Sequence, residues 1–344
     1  HVRLLSDQDR GEDFTDINVM SRSKGTVILA AVLFCSFAVG LYLGDVGWAA
    51  WLTDRLHMSR TAPTQPVLPD SALGNVRLFI LAGQSNMSGR GELDTEARKP
   101  VPGAFLFGND YRWRPLREPS DSPEGQVDRV SKDPVAGVSP ARSFAEAVRN
   151  ARPKQVIGMI PCAKGGSSLA EWQPSRHETT LYGSCLKRIA AVRPVGRVAG
   201  LLFFQGETDA LTSPTPASSR ADMEWGTRFE VLVRRWRSDV GRPNLPVVFA
   251  QIGSLGADSS RFSNWTAVQR SQARVQLPLV RMIRTKGLSL RDAVHYTSTG
   301  YRAIGKRFAE AWLQLTEASD SAGFLQDTPL LPRKGRAAPS EPIP

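Results

Sequence analysis

A serine set among glycines directly behind an apolar run is the first place in this chain where chemistry could occur. Residues 83–91 read Gly-Gln-Ser-Asn-Met-Ser-Gly-Arg-Gly, and the run Val76 to Ala82 leads straight into them. Ser85 would stand there on a tight strand-to-helix turn, its hydroxyl exposed and free backbone amides beside it, as a nucleophile requires. The same residue type at the same place could simply cap a helix. Far downstream, Asp292 stands three residues before His295. A carboxylate at that spacing can hold one imidazole nitrogen, fix the tautomer and leave the other nitrogen facing a serine; a surface or capping pair has the same spacing. Of the four histidines, His1 and His57 lie outside the run of alternating elements, and His177 sits in a polar stretch between Arg176 and Glu178. His295 is therefore the candidate general base, and the order Ser85, Asp292, His295 completes a triad.

Acyl transfer also needs donors aimed at the oxyanion that develops on the attacked carbonyl. Two other apolar runs end in residues that could supply them. Gln155 to Ile160 is followed by Pro-Cys-Ala-Lys-Gly-Gly-Ser-Ser, where Gly165 and Gly166 would let a backbone amide approach a substrate closely. Val198 to Phe204 is followed by Gln205, Gly206, Glu207, Thr208 and Asp209, and the Gln205 amide could donate. A plain tight turn is the alternative for the glycine pair, and a metal site or solvated loop acids for Glu207 and Asp209.

These residues need a scaffold that brings them to one edge. Strand-length apolar runs are expected at Val76 to Ala82, Gln155 to Ile160, Val198 to Phe204, Pro246 to Gln251 and Leu279 to Ile283. Helical periodicity is expected over Ser139 to Asn150, led by a capping serine and Pro140, then Thr180 to Val192, Met223 to Val240, Trp265 to Val275 and Ser298 to Trp312. The alternation predicts an α/β fold, a three-layer α/β/α sandwich around a five-stranded parallel sheet. Sites in such sheets collect at the carboxyl ends of the strands.

Ahead of this region, residues 25–44 carry no charge over twenty positions, long enough at about 1.5 Å per residue to cross a hydrocarbon core about 30 Å thick. One transmembrane helix is expected there, with Arg22 and Lys24 before it, Trp48 and Trp51 after it, residues 1–24 in the cytoplasm and the downstream domain in the periplasm or outside the cell. A cleaved signal peptide is the rival reading. Residues 45–74, proline-bearing and polar, read as a linker; 75–318 as the domain; and 319–344 as a disordered proline-rich tail. The 44 basic residues exceed the 33 acidic ones by 11, but the excess is scattered rather than gathered in a basic region interleaved with aromatics, which argues against a nucleic-acid partner. Three cysteines are too few for a disulfide scaffold and lack metal-site spacing, so Cys162 and Cys185 are expected as buried free thiols, a bridge between them being the alternative.

In order and placement these segments resemble the SGNH hydrolase superfamily, and within it the sialate O-acetylesterase-like group that includes carbohydrate esterase family six. The resemblance runs from about Val76 to Trp312 and is carried by FILAGQSNMSGRG, AGVSPARSFAEAV, IGMIPCAKGGSSLAEW, LLFFQGETD and DAVHYTSTGYRAIG. It implies a flavodoxin-like fold and an acetylesterase acting on carbohydrate through an acetyl-enzyme, with no cofactor and no metal. Ser85 would be the nucleophile, His295 the general base and Asp292 its orienting carboxylate. The oxyanion hole would comprise the Ser85 amide, an amide of Gly165 or Gly166, and the Gln205 side chain, where the wider superfamily usually has asparagine. Gln84, Asn86 and Glu207 are expected to contact substrate. The family often has GGT where this chain has Gly165-Gly166-Ser167, and Phe107 to Trp113 matches a stretch near the family's substrate cleft. Rival readings keep the fold but make the domain a carbohydrate-binding subunit of a polymer-modifying complex, an acetyl transferase or a lipid esterase.

Overall fold

The segment Val76–Gly83 is apolar at nearly every position, and a strand of that composition must be covered on both faces. In the computed structural model, which describes residues 68–212, 224–257 and 259–321, it is β1, near the middle of a seven-stranded sheet. The other strands are β2 (Ala104–Phe107), β3 (Trp113–Pro115), β4 (Ile157–Pro161), β5 (Gly196–Phe204), β6 (Val247–Ala250) and β7 (Val280–Ile283). The helices are α1 (Ser85–Ser88), α2 (Ala141–Ala151), α3 (Leu181–Val192), α4 (Trp225–Asp239), α5 (Trp265–Ala273) and α6 (Ser298–Ser321). Neighbours run β3-β2-β4-β1-β5-β6-β7 across the sheet.

The period of two along β1 divides the core. Leu78, Ile80 and Ala82 point to one side, where they join Trp172, Phe229 and Trp236; Phe79 and Leu81 point to the other, where they join Phe144, Phe308 and Trp312. Helices α3, α4 and α5 thus cover one face and α2 and α6 the other, the three-layer arrangement the alternation demands. From β1 the chain runs out to β2 and β3 at the edge, comes back to β4 beside β1 and then lays β5 on the other side of β1. Loops after β1, β4 and β5 therefore diverge at one crevice, where an open α/β sheet places its ligands.

The expected five-stranded parallel sheet is corrected to a seven-stranded mixed one. The two additional strands lie at one edge, β2 parallel to β4 and β3 antiparallel to β2. Four residues, AFLF, and three, WRP, are too short to show a period, and β3 is a partly exposed edge strand carrying a charge and a proline. The expected membrane span at 25–44 lies outside the described residues, as do segments 1–24 and 322–344; among the described residues no helix is long and apolar enough to cross a membrane. Leu68 and Ala72, expected in the linker, are buried in the core.

The cysteines are a second correction. Cys162, directly after β4, and Cys185, in α3, are disulfide-bonded with their Cα atoms 5.5 Å apart. The crossover from β4 lays the buried side of α3 over the end of its own strand, and that return sets the pairing.

Candidate active site

Ser85 owes its position to a close approach of two strands. A Cβ on Gly83 would lie 2.1 Å from the Phe204 carbonyl oxygen of β5, and Gly83 takes a φ of +129°, both of which require glycine. The Gln84 amide then donates to that same oxygen at 2.8 Å. This hook ends the strand and turns the chain into α1, with Ser85 at its first position.

Asp292 and His295 sit on a short hairpin between β7 and α6. Leu290 and Tyr296 pair antiparallel, and the Arg291 amide donates to the His295 carbonyl at 2.9 Å. Asp292 Oδ1 accepts from the amides of Val294 at 3.0 Å and His295 at 2.8 Å. Burial pushes this carboxyl up, but those two amides and the His295 ring outweigh it, so Asp292 lies below its ordinary range. The ring's Nδ1 is 2.8 Å from Asp292 Oδ2, and its Nε2 is 2.9 Å from Ser85 Oγ. A carboxylate accepts only, so the tautomer that satisfies both contacts carries its proton on Nδ1 and leaves Nε2 to accept from the serine. Ser85 is 5% exposed. His177, the alternative histidine, is exposed, and its contacts are with its own loop.

Asn86 locks the two halves together. Its Nδ2 donates to Glu207 Oε1 and to the Val294 carbonyl at 3.1 Å, while its Oδ1 accepts from Tyr301 at 2.7 Å. One amide therefore ties the Ser85 turn to the β5 end, the histidine hairpin and α6. Gln84 Oε1 accepts from Gln205 Nε2 and from the amides of Gly206 and Thr208. Asn86, Gln84 and Glu207, expected to meet substrate, are all buried, Asn86 bonded to Glu207 and Gln84 to Gln205 and the turn after β5. Burial pushes the Glu207 carboxyl up to about 7, and its Oε2 has no hydrogen-bond partner among the described residues.

The expected oxyanion donors differ in what they already hold. Gln205 is fully buried; its Nε2 is directed at Gln84, the Ser167 carbonyl and Asp209, and its Oε1 accepts from Trp225. The Gly165 amide donates to Asp133 Oδ2 at 3.0 Å. The amides of Ser85 and Gly166 have no protein acceptor among the described residues. Asp133, Arg90 and Tyr301 were missing from the sequence-derived site; Asp133 precedes a proline in a polar loop, a pattern that signals only a turn.

The segment Phe107 to Trp113 acts as a brace. Fully buried Arg188 donates to Asn109, to the Pro161 carbonyl and to Asp128 and Ser131, while Tyr111 donates to Asp128 at 3.0 Å. These bonds hold the long loop between β3 and α2 against the end of β4. Beside His295 opens a cleft of about 850 Å³ lined by Gly256, Arg261, Leu290, Arg291 and Asp292.

With this geometry established, comparison with known proteins decides the family. A family model described as "carbohydrate esterase, sialic acid-specific acetylesterase" matches residues 75–314. The chain belongs to this carbohydrate esterase family. A probable carbohydrate esterase of Arabidopsis thaliana is 30% identical over 260 residues, which cover 69% of this chain and 90% of the relative. An Arabidopsis thaliana X-ray structure superposes with a TM-score of 0.60 at 29% identity, over 70% of this chain and 98% of that one. A carbohydrate acetylesterase of Xanthomonas citri shares the fold, with a TM-score of 0.54 at 18% identity over 70% of this chain and 57% of its own. All five motifs that carried the resemblance fall inside the carbohydrate esterase match, and so do Ser85, Asp292 and His295.

Proposed function

We propose that this carbohydrate esterase is a serine enzyme that removes acetyl groups from sugar hydroxyls. The contact that carries the reading is the continuous line from Asp292 through His295 to Ser85, 2.8 Å and then 2.9 Å, at the carboxyl end of β1. Ser85 Oγ attacks the acetyl carbonyl as its proton passes to His295 Nε2. The resulting oxyanion is met by the Ser85 amide and the 165–166 turn. Collapse of the tetrahedral species expels the sugar oxygen, which takes the proton from Nε2 and leaves an acetyl-enzyme. Water then gives a proton to Nε2 and attacks the acetyl carbon; as this second adduct collapses, Ser85 recovers its proton and acetate departs. Asp292 keeps the ring oriented throughout and stabilises the imidazolium. The cleft beside His295, with two arginines in its wall, suits a polar sugar better than a long acyl chain.

The disulfide supports an oxidising compartment, the periplasm or cell exterior, for the domain. Alkylation of free thiols in freshly lysed cells tests this: labelling of Cys162 and Cys185 before any reductant is added would place the domain in the cytosol. The function itself is tested by acetate release from acetylated xylan, O-acetylated sialic acid and nitrophenyl acetate. The expected result is release by the native protein and none by Ser85→Ala. Equal release by both would remove the serine mechanism.

A further inference from the structure

Asp133 lies in the loop between β3 and α2, 45 residues after Ser88 and 32 before Gly165, and no step above requires it. Yet it is 3% exposed, and a single oxygen of it accepts from three donors. These are Ser88 Oγ at 2.7 Å, Arg90 Nη2 at 2.6 Å and the Gly165 amide at 3.0 Å. Burial pushes the carboxyl up, but the hydrogen bonds from Arg90 and Ser88 outweigh it and hold Asp133 below its ordinary range, as an anion.

The three donors belong to two separate parts of the site. Ser88 and Arg90 close the nucleophile turn: Ser88 Oγ also reaches the Ser85 carbonyl at 3.3 Å, and Arg90 Nη1 the Gly89 carbonyl at 2.8 Å. Gly165 belongs to the turn that follows β4. A Cβ there would fall 2.6 Å from Asp133 Oδ2 and 2.4 Å from Arg90 Nη2, so the Gly165 peptide meets the ion pair with no room for a side chain. With its N–H given to Asp133, Gly165 has none to offer an oxyanion. Gly166, at a φ of +74°, has only open space where a Cβ would stand.

We infer that Asp133 is a positioning residue for the oxyanion hole: by holding the Gly165 amide and the nucleophile turn on one carboxylate oxygen, it makes the Gly166 amide, with that of Ser85, the donor to the developing oxyanion. The inference rests on the serine acetylesterase reading.

Two substitutions separate this role from simple support of the fold. Asp133→Asn keeps the size of the side chain but removes the anion. Gly165→Ala forces the same contact apart from its other side and supplies the measurement if the first variant folds poorly. Each is assayed on nitrophenyl acetate, with kcat counted per Ser85 titrated by a fluorophosphonate so that unfolded protein drops out. In both, kcat per titrated serine is expected to fall about 10- to 100-fold with KM within about twofold, since a displaced donor is lost chiefly in the transition state. The double variant is expected to be no worse than the more damaged single one, because both break one contact. Full kcat per titrated serine in both single variants, or losses that multiply in the double, would overturn the inference while leaving the esterase reading intact. An inactive native enzyme would overturn both.

Discussion

At the scale of single residues, the proposed mechanism has the Asp292 carboxylate work through tautomer and orientation. Half of its side chain is exposed, so its electrostatic pull on His295 is screened by water and geometry is its main contribution. Asp292→Asn is expected to lower kcat about 10²- to 10⁴-fold with little change in KM, as read in nitrophenyl acetate hydrolysis. Glu207 makes a different prediction. Its ordinary pKa of 4.5 is raised to about 7 by burial, so the folded chain holds that proton more tightly than the unfolded chain does. The associated stability is fully present below about 4.5 and is lost as pH rises through about 7. Glu207→Gln keeps an oxygen for Asn86 and cannot ionise, so stability should fall less in the variant between about pH 5 and pH 8. The difference should be at most about 3 kcal/mol, measured by thermal unfolding at the two pH values. An unchanged pH slope would mean that Glu207 is ionised across the whole range.

At the scale of elements, the turn after β4 is fixed from three sides. Asp133 takes the Gly165 amide, Arg188 donates to the Pro161 carbonyl, and the disulfide ties Cys162 to α3. The bridge closes a loop of 23 residues in sequence separation, for which the chain-entropy model gives about 3 kcal/mol. Cys162→Ser with Cys185→Ser is expected to lower stability by roughly that amount, measured by denaturant titration, and to lower kcat as well because the turn after β4, which the proposed mechanism aims at the oxyanion, loses a tether. Stability loss without any change in kcat would confine the disulfide to the fold. On the other side of the sheet, α6 serves both core and site. Tyr301 on its first turns donates to Asn86, while Phe308 and Trp312 further along pack on β1.

At the scale of the whole molecule, the described residues all belong to the unit that begins at Gln65, and both faces of the sheet are covered from within it. A chain starting at Gln65 is therefore expected to fold and to retain kcat on nitrophenyl acetate within about twofold, since a core of this size needs no outside surface to close it. Loss of cooperative unfolding in that fragment, followed by calorimetry, would show that the preceding residues complete the domain.

What the sequence determined by itself was mostly local. The apolar runs of the central strands, the Thr180 cap of α3 and the glycine-flanked serine are written in neighbouring residues, and motif order alone singled out Ser85, Asp292 and His295. The edge strands escaped because seven residues split between AFLF and WRP hold too little pattern, and their pairing exists only against β4. The disulfide escaped because proximity across a crossover is not a property of spacing. The same holds for Asn86, Gln84, Glu207 and Asp133. Gln84, Asn86 and Glu207 read as polar groups near a site and Asp133 only as part of a turn; what each is bonded to, and which amides remain without a protein acceptor, was decided where five loops converge on one sheet edge. Hydrogen bonds between residues dozens or hundreds of positions apart form only once the two faces of the sheet are packed.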